Sequence, residues 1–107
     1  MGEQQRFAIR FAEAVARHLR SVESRHHSLI RRVIEEQLSY EPERETRNRE
    51  PLREPTAFGD GWELRFGPGN RFRVYSHTNQ AEERVHVLAV GVKDRNRVFL
   101  GGEELKL

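Results

Sequence analysis

The 107-residue sequence has no cysteine, two lysines, one tryptophan, one methionine and no long apolar run. The missing cysteines exclude a disulfide framework, a thiolate metal site and a cysteine nucleophile. No stretch approaches the roughly 20 apolar residues that a membrane-spanning helix needs. The opening MGEQQRF has no apolar core of the kind a secretory signal carries, so a cytoplasmic location is expected. With 36% hydrophobic residues the chain can still supply one modest core. One domain spanning residues 1–107 is the expectation.

What is abundant is arginine. Seventeen of the nineteen basic residues are arginine, and seventeen acidic residues leave a net charge of only +2. A guanidinium fork grips phosphate oxygens in pairs and stacks on bases, which an ammonium does not. A genomic preference for arginine codons gives the same composition. Where the arginines gather is therefore the informative question.

The apolar pattern changes period along the chain. Phe7, Ile9 and Phe11 alternate as in a strand. Val15, Leu19 and Val22, then Leu29/Ile30, Val33/Ile34 and Leu38, fall at helical spacing. Two helices are predicted, about 12–22 and 26–39, with a short turn between them. Residues 41–60 carry Pro42, Pro51 and Pro55 among alternating charges, which predicts a long loop without a regular element. Arg47, Arg49 and Arg53 make that loop a basic strap diluted with glutamates.

Strands follow. Trp62, Leu64 and Phe66 alternate with Glu63 and Arg65, and Gly67-Pro68-Gly69-Asn70 is hairpin chemistry, with Pro setting φ and Gly69 accepting a positive one. Phe72 to His77 resumes the alternation. Val85 to Val92 is apolar at nearly every position, as in a strand buried on both faces at the centre of a sheet. Lys93 to Arg97 ends it, and Val98-Phe99-Leu100 adds an edge strand before a Gly101-Gly102 turn. The predicted fold class is α+β: two N-terminal helices on a mostly antiparallel sheet, in the order β-α-α-β-β-β.

Parity then sorts the side chains. If Trp62, Leu64, Phe66, Phe72 and Val74 face the helices, Glu63, Arg65, Arg71, Arg73, Tyr75 and His77 share the other face. Lys93, Arg95 and Arg97 are expected to close one side of it, and the strap another. Such a face suits phosphate and single-stranded RNA, with Tyr75 or guanidinium planes for stacking. It also suits an acidic partner segment, or plain solvent. Trp62 reads as a core anchor. The adjacent His26 and His27 read as a turn pair. His77 and His86, on successive strands, lack a third ligand for zinc.

Four stretches carry a family resemblance: FAIRF followed by helices, ETRNREPLR, WELRFGPGNRFRVYSH and VLAVGVKDRNRVFLGGEEL. The chain resembles the RelE/ParE toxin superfamily of bacterial type II toxin–antitoxin modules, from Phe7 to Leu107. The resemblance implies two helices on a curved antiparallel sheet and, in the RelE branch, a ribosome-dependent mRNA endonuclease that inhibits translation without metal or cofactor. In that chemistry a ribose 2′-hydroxyl attacks the adjacent phosphate. A base, charge neutralisation on the phosphate and an acid are therefore required. By position, Arg73 matches the family's sheet arginine, Lys93 the basic residue closing the central strand, and Arg65 the arginine before the hairpin. Phosphate-facing roles extend to Arg71, Arg95, Arg97, Arg47 and Arg49. The branch carries lysines where Gly61 and Glu63 stand here, and a tyrosine where this chain has Phe99, so proton transfer falls to Tyr75, His77 or Glu63. The implied partners are an antitoxin protein and the ribosome with its mRNA. The ParE branch implies instead a non-enzymatic DNA gyrase inhibitor, and a third alternative is an inactive antitoxin-binding homologue.

Overall fold

A computed structural model describes residues 5–53 and 61–106 of the chain. Strand β1 (Ala8–Phe11) leads into helix α1 (Ala14–Arg20), and a single 3-10 turn at Ser24–His26 precedes helix α2 (His27–Leu38). The strands that follow are β2 (Arg49–Pro51), β3 (Trp62–Phe66), β4 (Phe72–Asn79), β5 (Arg84–Asp94), β6 (Arg97–Leu100) and β7 (Glu103–Glu104). They form one sheet in the order β2-β3-β4-β5-β6-β7. β1 runs parallel to β5, and the other pairings are antiparallel.

The helical stripe is buried as its spacing requires. Ile30, Ile34 and Leu38 stand one turn apart on α2 and meet Val15 and Val22 from the other side of the helical hairpin. Beneath them lie Leu64, Phe66, Phe72, Val74, Val85, Val87 and Val90. The turn between the helices is held by His27, whose Nε2 lies 2.9 Å from both the Leu19 and Val22 carbonyls. Carbonyls only accept, so that nitrogen carries the proton. His26 instead packs its ring 5.2 Å from that of Phe72.

The hairpin between β3 and β4 has positive φ at Gly69, as expected, and also at Gly67 and Asn70. At Gly67 a side chain is excluded twice, since a Cβ there would stand 2.5 Å from the Phe72 ring.

Three expectations are corrected. The strap is not wholly irregular: Thr46 and Arg49 close a tight turn, and Arg49–Pro51 adds β2 to the edge of β3. Pro51 is tolerated there because an edge strand leaves half of its ladder groups unused. Residues 54–60 of the strap lie outside the described residues. Trp62 is only half-buried at the sheet margin and is not part of the main core.

The third correction concerns β5, which is central but not a simple two-sided apolar strand. The register shifts by one residue opposite Tyr75/Ser76, so Leu88 is the extra residue of a bulge. Val85 and Val87 face the helices before it, and Val90 and Val92 after it.

β5 is long enough to take two partners along one edge. β1 pairs with Arg84–Val87 and β6 with Val92–Asp94. In the interval between them, His18 of α1 accepts the Val90 N–H at Nδ1, 3.2 Å away. Only a neutral imidazole accepts there, and burial, helped by the nearby Arg17 charge, lowers the His18 pKa. A depressed histidine stabilises the fold fully above the unfolded value near 6.5, and that contribution is lost as pH falls below it. Unfolding free energy should therefore drop by about 1 kcal/mol on acidification through this window. In His18→Asn, whose Oδ1 accepts from the same place without titrating, that pH dependence should vanish in urea titrations, whereas His18→Leu should be weaker at every pH.

Candidate functional site

The face of β3 and β4 turned away from the helices carries the charged residues that alternation placed there. Register pairs Arg65 directly with Arg73, and Glu63 directly with Tyr75. Directly opposed residues share a face, so all four converge. Tyr75 and Ala89 are paired on this face and fully buried.

Glu63 is the hub. Its Oε1 lies 3.2 Å from Nη1 of Arg73 and 4.0 Å from Nε of Arg65, while Oε2 accepts the Tyr75 hydroxyl at 2.9 Å. Only about a tenth of the Glu63 and Arg73 side chains is exposed, against 26% for Arg65. Glu50 of β2 stands opposite Glu63, a like-charge pairing that Arg65 relieves by reaching Glu50 at 3.6 Å. Arg73 is further fixed by donating from Nε to the Asn70 carbonyl at 3.0 Å. Asn48 exchanges backbone and side-chain bonds with Arg65, tying the strap to β3. Sequence reading assigned Asn48 no role, because its partner lies 17 residues away.

Burial, then the charge and hydrogen bond of Glu63, push the Tyr75 hydroxyl well above the ordinary phenol range, against a smaller opposing effect of Arg73. A buried phenol that holds its proton so firmly is a poor base. Its visible role is to orient Glu63, and through it the two arginines.

Lys93 joins this group. Arg73 pairs with Gly91, two residues before Lys93 on the same face, which puts Lys93 in the diagonal position about 7–8 Å away. Gly91 has no side chain to separate them. A Cβ there would stand 2.8 Å from both Val98 and Leu100. The structure thus brings Arg65, Arg73 and Lys93 into one patch.

Other expected members lie elsewhere. Arg71 caps the helical turn Pro68–Asn70 with a helical backbone, so strand parity does not apply to it, and its guanidinium is 5.3 Å from the centre of the Phe72 ring. Arg95 occupies the β5–β6 turn with a positive φ of 58°. Arg97 pairs with Asp94 on the face of Val92 and Phe99, where Glu104 is 3.8 Å away, so it faces away from Lys93. Arg47 is exposed in the strap, and its carbonyl accepts from Arg65 at 3.3 Å. His77 is exposed on the same face, four residues beyond Arg73 and so about 13 Å along the strand.

Arg49 departs furthest from expectation. It is buried among the residues facing the helices, donating from Nη1 to the carbonyls of Gln37 and Glu41, the latter at 2.7 Å. The last carbonyls of a helix have no partner within it, and a guanidinium also matches the negative end of the helix dipole. Arg49 is therefore the C-terminal clasp of α2. Strand β2 has only three residues, too few for alternation to reveal which way Arg49 points.

No family model matches the chain, and no curated protein matches it significantly. Among solved structures, a chain of the toxin–antitoxin complex RelBE2 from Mycobacterium tuberculosis superposes with a TM-score of 0.64 at 21% identity, covering 82% of this chain and 99% of that one. This chain therefore has the α+β fold seen in the RelBE2 complex, the fold that its resemblance to the RelE/ParE toxins implies.

Proposed function

We propose that the protein is the toxin of a type II toxin–antitoxin module, a cytoplasmic RelE-like endonuclease that cuts mRNA on the ribosome and is held inactive by its antitoxin. The observation that carries this reading is the gathering of Arg65, Arg73 and Lys93 on one sheet face of a RelE-like fold. Guanidinium and ammonium groups fixed before the substrate arrives can grip the phosphates of an RNA strand at little reorganisation cost and so position it for cleavage. Arg73 and Arg65 are fixed by Glu63. Lys93, partly exposed and with no ion pair among the described residues, is the member best able to approach a phosphate.

Induced expression followed by primer extension on cellular messages should show cuts at defined codon positions. Intact messages together with altered DNA supercoiling would instead support gyrase inhibition, and neither change would mark an inactive homologue. Lys93→Ala should lower cleavage by up to about 10²-fold, the cost of a substrate strand held out of position. It should also reduce the salt dependence of RNA binding by about one phosphate contact, with the thermal unfolding midpoint nearly unchanged. Arg73→Ala is the less clean experiment, because it leaves the Glu63 carboxylate buried without its nearest cation.

A further inference from the structure

Farther along the same face, three strands form a row that the Arg65–Arg73–Lys93 patch does not use. Register places His77 of β4 opposite His86 of β5, and His86 beside Arg10 of β1. Ser76, Val87 and Ile9 alternate with them toward the helices, so all three basic residues point away. Directly opposed residues of an antiparallel pair hold their Cβ atoms about 4.5–5.5 Å apart, which brings two imidazoles within reach of one bound group. His77 and Arg10 are exposed and His86 is half-buried. Among the described residues, the titratable and charged groups at neighbouring positions on this face include Tyr75 on β4, Arg84 on β5, which is engaged with Glu82 at 2.8 Å, and Arg10 on β1.

We infer that His77 and His86 are an acid–base pair for phosphodiester cleavage, with Arg10 holding the phosphate between them. The inference rests on the nuclease reading and adds to it two residues, His86 of β5 and Arg10 of β1. Imidazole is the side chain whose two protonation forms coexist near neutrality, so one ring can take a proton while the other gives one. The neutral ring removes the proton of the ribose 2′-hydroxyl, and that oxygen bonds to phosphorus. The bond from phosphorus to the 5′ oxygen breaks, and the leaving oxygen takes a proton from the charged ring. The products are a 2′,3′-cyclic phosphate and a 5′-hydroxyl, and the two rings have exchanged protonation states, which solvent restores. No oxidant, metal or further reactant enters the balance. Arg73, about 13 Å away along β4, then anchors a neighbouring phosphate of an extended strand.

Two measurements test this on the full chain. Cleavage of message on translating ribosomes should follow a bell-shaped pH profile. His77→Gln and His86→Gln should each lower the rate by about 10²–10⁴-fold and remove one limb of the profile. If the wild type cleaves and His86→Gln cleaves equally well with both limbs intact, the inference fails while the nuclease reading stands. A wild type that does not cleave overturns both. Because His86 is half-buried, the second measurement needs no substitution: imidazole resonances of the wild type are followed against pH with a short single-stranded deoxyoligonucleotide, which lacks the attacking hydroxyl. Both rings should titrate to higher pH when it binds. Two rings that ignore the oligonucleotide would overturn the pairing whatever the kinetics show.

Discussion

Replacing Glu63 by leucine is expected to lower the unfolding free energy by about 3 kcal/mol, measured by urea denaturation near neutral pH. The carboxylate is almost wholly removed from water and has three partners among the described residues. Leucine removes the carboxylate that faces the Arg73 guanidinium and accepts from the Tyr75 hydroxyl. Glu63→Gln should lose less, because the amide oxygen still accepts from Tyr75. A double-mutant cycle between Glu63→Gln and Arg73→Gln should return a coupling of about 1 kcal/mol or more, as expected for partners in direct contact. The same cluster has an alkaline signature. The phenol is held protonated in the folded chain, so above about pH 10 the unfolded chain releases a proton that the folded one keeps. Stability therefore falls as pH rises through that region, and Tyr75→Phe should remove this part of the decline.

Arg49→Met is expected to cost about as much, again near 3 kcal/mol, through a different mechanism. The Gln37 carbonyl in the last turn of α2 and the Glu41 carbonyl just beyond it lose their donor together, in a place that water does not reach freely. Hydrogen exchange should report it locally, with the last turn of α2 losing protection before the sheet does. Arg49→Lys should recover only part of the loss, since one ammonium on a flexible stem does not reproduce the rigid guanidinium. Both results bear on any screen for loss of growth arrest. Under the proposed nuclease reading, changes at Arg49 and Glu63 would relieve arrest by depleting folded protein, whereas Lys93→Ala would do so with the fold intact. Measuring stability beside toxicity separates an RNA contact from a structural arginine, which composition alone cannot do.

Much of this molecule was open to reading from local pattern. The stripe at Ile30, Ile34 and Leu38 and the alternation at Leu64, Phe66, Phe72 and Val74 each announce one buried face, because burial selects every side chain at the period of its own backbone. The Gly67–Asn70 turn brings its two strands together in the only register that keeps those faces matched, and so Arg65 meets Arg73. These relations involve neighbours or a single hairpin, and they are written in residue order.

Other assignments needed the folded chain. The direction of Arg49 depends on where α2 ends, which no pattern around residue 49 encodes. The facing of Arg97 follows from its pairing with Asp94 across a two-residue turn. The burial of Tyr75 depends on its closing over Ala89 and Glu63, and the meeting of Arg10 with His86 depends on a parallel pairing between strands more than 70 residues apart. In each case the deciding contact joins segments whose separation along the chain carries no periodic trace. The residues themselves determined two faces, one greasy and one rich in guanidinium. Only tertiary packing decided which cations are locked to Glu63 or to a helix end, and which remain for a ligand, because desolvation and pairing act on groups brought together in space and not in order along the chain.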